Sequence, residues 1–253
     1  MIDVKLHELE DKDLKGGTLI VSIPNQGIGN VLLTEFMLEQ KEMATMAAFD
    51  SDMFPPVTMV HGGRPRYAIR IHGSEMDGLA VLRCEFPLEP NLARPLASAI
   101  MKWCDDNGIK RVITLDGVSV MGAIDKDGSP DLLFAASDPK TRKEGLEKDL
   151  DQFEEGALGG VPGVLLAEGR RKGLDVVALM AVLSGPEDEV KGARVLGEHL
   201  SAFVDVDLDM DALDKKLDEA KRSIEELQKE MKSAMHKMSK DEGEGSQAPS
   251  MFR

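Results

Sequence analysis

Three stretches constrain this chain more than any others: Thr18 to Ile23, Arg111 to Gly117 and Leu174 to Val182. Thr18 to Ile23 is an almost continuous apolar run, where a strand with one wet face would alternate, and the other two read as buried strands as well. Such strands belong inside a sheet covered on both sides. The segments between them supply the cover. Leu92 to Asn107 carries Leu92, Leu96, Ala99, Ile100 and Trp103 at helical spacing and stops at Gly108. Val31 to Gln40 and Pro186 to Phe203 read as further helices. Strand and helix alternate from Leu92 to Phe203, which predicts an α/β fold of three layers, α/β/α. Tyr67 to His72 and Leu79 to Phe86 flank the turn Gly73 to Gly78 and read as a hairpin, so the sheet is mixed. Val4 to Glu10 reads as an edge strand and Lys41 to Asp50 as a short one. Ser51 to Pro65 reads as a Pro- and Gly-rich loop. Leu132 to Ser137 reads as a strand, followed by a charged, partly helical stretch to Phe153.

Charge narrows the partners. The 253 residues carry a formal net charge of −15, which disfavours nonspecific nucleic-acid binding and anionic membrane surfaces. One Trp and one Tyr provide no platform for base stacking. Two cysteines, Cys84 and Cys104, make no disulfide framework, and the first residues lack a signal-peptide core. No apolar run is long enough to span a bilayer. A cytoplasmic protein is expected.

The search for chemistry returns little. Neither Cys-x-x-Cys, His-Glu-x-x-His nor a Gly-x-Ser-x-Gly elbow occurs. His61 and His72 lack the near spacing of a zinc pair. Cys84 and Cys104 sit among apolar neighbours and read as core residues. Ser119 and Ser129 lie in Gly-containing loops without an assignable base. No enzyme, metal or cofactor is expected. One candidate ligand pocket stands out, at the carboxyl ends of the buried strands, where open α/β sheets place ligands. It comprises Gly27 in the turn Pro24 to Asn30, Asp116 at the end of its strand, and Gly163. The last belongs to the stretch Gly159 to Gly173, read as a glycine-rich loop running into a short helix. Gly27-x-Gly29 lacks the third glycine of a dinucleotide fingerprint, and an Asp before a Gly also suits a plain turn.

The end of the chain has its own pattern. Met210, Leu213, Leu217, Ala220, Ile224, Leu227, Met231, Ala234 and Met238 recur at alternating steps of three and four, a heptad seam. Asp205, Asp207, Asp209 and Asp211 sit at its start, where the helix dipole favours negative charge. The seam must be buried, either on its own domain or against another subunit. In the second case Leu213, Leu217, Ile224, Leu227 and Met231 form the oligomer contact. Residues 239–250 lack apolar periodicity and read as a flexible spacer. Met251, Phe252 and Arg253 follow, an aromatic ring beside a carboxylate, which suits capture in a partner's pocket. The expected organisation is a globular body over 1–205, a helix over 206–238 and a tail over 239–253.

The order of these pieces resembles the proteasome assembly chaperone family, in particular its archaeal members. The resemblance runs from Leu19 to Lys237. It rests on the opening strand with Pro24-Asn25-Gln26-Gly27-Ile28-Gly29-Asn30, the strand Ile113 to Gly117, the Gly160-Val161-Pro162-Gly163-Val164-Leu165-Leu166 turn with its following strand, and the acidic-start terminal helix. It implies a phosphorylase-like fold without established enzymatic activity, homo-oligomers including tetramers, and tails that engage 20S proteasome α subunits. Assembly factors and activators often end in a hydrophobic residue, a tyrosine and any residue. Met251 and Arg253 match that pattern. Phe252 keeps the ring and loses the hydroxyl, so docking is expected and gate opening is in question. The resemblance therefore implies an assembly chaperone or an ATP-independent activator. The phosphorylase likeness leaves a nucleoside- or phosphate-binding protein, or an enzyme on such small molecules, as the alternative.

Overall fold

The computed structural model describes residues 2–25, 28–118, 131–183 and 189–223. Its centre is an eight-stranded mixed sheet. The strands are β1 (Lys5–Glu8), β2 (Thr18–Ser22), β3 (Ala44–Asp50), β6 (Ile69–Ser74), β7 (Leu79–Cys84), β8 (Arg111–Val118), β9 (Leu132–Ala136) and β10 (Asp175–Val182). They lie in the order β1-β3-β6-β7-β2-β8-β10-β9. The four inner strands β7, β2, β8 and β10 run parallel. The β1-β3-β6-β7 flank and the edge strand β9 are antiparallel. The three apolar runs of the sequence are thus β2, β8 and β10, side by side and covered on both faces.

The cover divides evenly. Helices α2 (Pro90–Asp106) and α4 (Gly160–Lys172) pack on one face with Leu19, Val21, Val112 and Val176. Helices α1 (Gly29–Gln40) and α5 (Glu189–Leu200) pack on the other with Ile20, Ile113, Val177 and Leu179. A short α3 (Pro139–Glu147) lies beside β9, capped by the Asp138 carboxylate, which accepts from the backbone of Lys140 and Thr141. At the amino ends of β8 and β10 the Arg111 guanidinium pairs with Asp175 and Glu144 and donates to the Phe203 carbonyl. It thereby ties two strands, α3 and the exit of α5 together.

A row crossing the second face exposes a change of character. Register places Leu115, Leu179 and Phe134 in its right half, all buried under helices. The same row continues leftward through Ser22, Arg83, Arg70, Ala48 and His7. Arg70 and Arg83 are direct cross-strand neighbours. Arg70 is paired with Glu85, both side chains nearly buried. Arg83 reaches Glu35 only at 3.8 Å, and its Nε has no hydrogen-bond partner among the described residues.

Two elements differ from the sequence reading. Within the expected loop 51–65 lies a small hairpin, β4 (Met59–His61) against β5 (Arg64–Arg66). Gly62 and Gly63 both adopt positive φ, the two-residue turn that matches strand twist. The stretch from Gly159 is no loop: α4 begins at Gly160 and runs thirteen residues. Its glycines serve packing. A Cβ on Gly163 would lie 2.0 Å from the Leu158 carbonyl oxygen, and one on Gly169 would lie 2.4 Å from Val176 Cγ2.

Candidate functional site

The carboxyl ends of β2, β7 and β8 form the crevice expected of such a sheet. After β7 the chain passes to α2 on one face; after β2 it passes to α1 on the other, so the loops diverge and leave a gap. Asn30, in the first turn of α1, closes the gap from below. Its Nδ2 donates to the Ile23 carbonyl at 2.9 Å and to the Leu115 carbonyl at 3.1 Å. The Ile23 carbonyl lies one residue past the end of β2, and Leu115 is the last residue of β8 that pairs with β2. Asn25 then reaches across from β2 and donates to Asp116 Oδ2 at 3.1 Å, while Asp116 Oδ1 accepts from the Gly117 amide at 2.8 Å. Above this lies a cavity of about 130 Å³, walled by Val21, Ile23, Leu88, Ala93, Leu115 and the α4 start at Gly160 and Val161.

Of the expected pocket residues, Asp116 is buried and held at the base of the crevice. Gly27 lies outside the described residues. Gly163 faces Leu158, and the cavity wall is made instead by Gly160, Val161 and Pro162. Asn25 and Asn30 read in the sequence only as part of a turn; in the fold Asn25 follows the end of β2 and Asn30 lies in the first turn of α1. The wall is mainly apolar, and its polar groups are the Asn25 carboxamide and backbone. Cys84 and Cys104 are buried elsewhere in the core, and burial pushes both thiols up to about 12. They are poor nucleophiles at neutral pH. Among the described residues, no group of three His, Cys, Asp or Glu is placed to hold a metal ion. Among the same residues, no helix is long and apolar enough to cross a membrane.

The terminal helix is described over 210–223 and is labelled α6. Asp209 caps it: its carboxylate accepts from the Ala212 amide at 2.9 Å. Leu213 and Leu217, exposed at 0% and 4%, pack into the chain's own core on the α1–α5 face. Gly197 of α5 makes room, for a Cβ there would sit 3.2 Å from Leu213 Cδ2 and 3.3 Å from Leu33 Cδ1. Ion pairs reinforce the docking. Arg194 of α5 pairs with Asp214, and Lys216 pairs with Glu39 of α1 at 2.6 Å. Leu213 and Leu217 thus lie in the core of their own chain. Ile224, Leu227 and Met231 lie outside the described residues, as do Met251, Phe252 and Arg253.

This architecture defines a class of mixed-sheet α/β proteins with helices on both faces and a crevice at the parallel strand ends. A model of the PAC2 family matches residues 19–228, and the chain belongs to that family. An uncharacterized protein of Methanocaldococcus jannaschii is 21% identical over 242 residues, covering 95% of this chain and 98% of its own. Among solved structures, Pyrococcus furiosus PbaA, described as an archaeal homologue of proteasome-assembly chaperone, superposes with a TM-score of 0.77 at 21% identity, covering 96% of this chain and 99% of PbaA. Pyrococcus furiosus PbaB, described as an archaeal proteasome activator, gives 0.73 at 18% identity, covering 90% of this chain and 100% of PbaB. At these identities the likeness establishes a shared fold.

Proposed function

We propose that this protein binds the 20S proteasome through its α subunits, as an assembly chaperone or an ATP-independent activator, and performs no chemistry of its own. The observation that carries the reading is PAC2 membership together with a fold shared over nearly the whole chain with PbaA and PbaB. The described part of the crevice fits a non-catalytic role, since it offers one carboxylate, already held by Asn25 and Gly117, and a mainly apolar wall.

In this reading the globular body extends to 205, the helix to 238, and the tail over 239–253 delivers Met251 and Phe252 with the terminal carboxylate into pockets between α subunits. Several copies joined in a homo-oligomer, a tetramer by family resemblance, would bind together and gain avidity from weak single contacts. With Leu213 and Leu217 used inside the chain, oligomerisation draws on other surfaces. The test is capture of α rings by the full chain and by a chain ending at Ser250. The full chain should retain the rings and the shortened one should lose them. Equal retention removes the tail from the mechanism.

A further inference from the structure

The β4–β5 hairpin stands apart from the eight-stranded sheet and leaves a trough between itself and the ends of β3 and β6. The trough encloses about 400 Å³ and is walled by Phe54, Val57, Pro65, Tyr67 and Phe86, with Arg66 at its side. Around it lie four of the seven large apolar side chains the described fold exposes: Met53, Val57, Val60 and Tyr67. Val60 is 65% exposed and Met53 53%. Scattered exposed apolar residues are ordinary; four within fifteen positions, beside a concave aromatic wall, are not.

Two arginines, Arg64 and Arg66, stand at this corner together with the exposed Asp50 and Asp52. The chain carries −15 overall, yet neither Arg64 nor Arg66 makes an ion pair among the described residues. Behind them stand Arg70 and Arg83. Glu85 answers Arg70 and also contacts His61 at 3.3 Å, while among the described residues Arg83 pairs with the distant Glu35 alone. Burial, followed by the repulsion of Arg70, Arg83 and Arg66, holds the His72 imidazole down at about 4. The one carboxylate on the trough wall, Asp50, accepts from the Ser51 amide. A surface that is apolar in its floor and cationic at its edge complements a segment that is apolar at one residue and acidic on either side.

We propose that this trough docks a partner's extended peptide carrying an aromatic side chain flanked by carboxylates. The ring enters between Phe54, Val57 and Phe86, and the carboxylates meet Arg64 and Arg66. The site is separate from the terminal tail and does not depend on the proteasome reading. The test uses the full chain and two fluorescein-labelled peptides, Glu-Asp-Phe-Glu-Asp and its counterpart Lys-Lys-Phe-Lys-Lys, by fluorescence anisotropy. The acidic peptide should bind, and tighter at low salt. Its affinity should fall at least about tenfold in R64E/R66E, where the basic peptide should now bind instead, a reversal that an unfolded variant cannot give. Replacing Phe by Ala in the acidic peptide should cost about as much. Acidic-peptide affinity unchanged by the double reversal, or equal for Phe and Ala, overturns the proposal. So does sedimentation showing that the wild-type chain self-associates and that R64E/R66E alone returns it to monomer, which makes a second copy the occupant.

Discussion

Replacing Leu213 by alanine tests whether the terminal helix belongs to its own subunit. Leu213 has no exposed surface, lies in the core with Leu33 and Leu196, and sits over Gly197, whose missing side chain lets α5 approach. The neighbours that would have to close the resulting hole are anchored on two other helices, α1 and α5, so collapse is limited. A buried leucine truncated at a site that relaxes little costs about 3 kcal/mol. For a chain of this length that shifts Tm down by about 6–12 °C. Urea unfolding of L213A should give a lower midpoint with an unchanged slope. The assay is run at two protein concentrations about fifty-fold apart. A contact inside the subunit gives the same loss at both, whereas a contact between subunits gives a loss that grows on dilution. A loss below about 1 kcal/mol, or one that depends on concentration, refutes the placement of Leu213 in its own core.

Other expectations follow from the same geometry. Asn30→Ala leaves the Ile23 and Leu115 carbonyls without their shared donor and should cost about 2 kcal/mol in urea unfolding. Cys84 and Cys104, both pushed to about 12 by burial, should resist Ellman's reagent in the native state at pH 8 and react together on unfolding. His72 is held near 4 in the folded chain and lies near 6.5 when unfolded, so between those values the unfolded state binds the extra proton. Stability should therefore fall as pH drops from 6.5 toward 4, and His72→Asn should flatten that slope in pH-dependent melts.

What could be read in advance depended on whether a residue's reason for being there was local. The runs around Val21, Ile113 and Ala178 are apolar because both faces of their strands are covered, and that pattern survives in the linear text. Gly163 and Gly169 were misleading because their cause is a neighbour: the Leu158 carbonyl and the Val176 side chain exclude a Cβ. A string of glycines looks the same whether it admits a ligand or a strand. The β4–β5 hairpin had a legible mark, Gly62-Gly63 between short β-prone pieces, hidden by Pro55, Pro56 and Pro65 around it. Asn25 and Asp116 are 91 positions apart, and nothing local announces that the fold joins them. The heptad pattern from Met210 marks a stripe whose Leu213 and Leu217 are buried, and is silent on whose core the stripe enters.

Strand β2 lies in the middle of the sheet, yet its two partners begin at Leu79 and Arg111. A nascent chain leaving the ribosome therefore emits this central strand long before either flank exists to receive it. The local β3-β6-β7 meander can close first and present one waiting edge, since short-range pairing needs little loop closure. Until Arg111 and its followers emerge, β2 has a neighbour on one side only and an open hydrogen-bonding edge on the other. The chain would thus begin life as a substrate for holding factors.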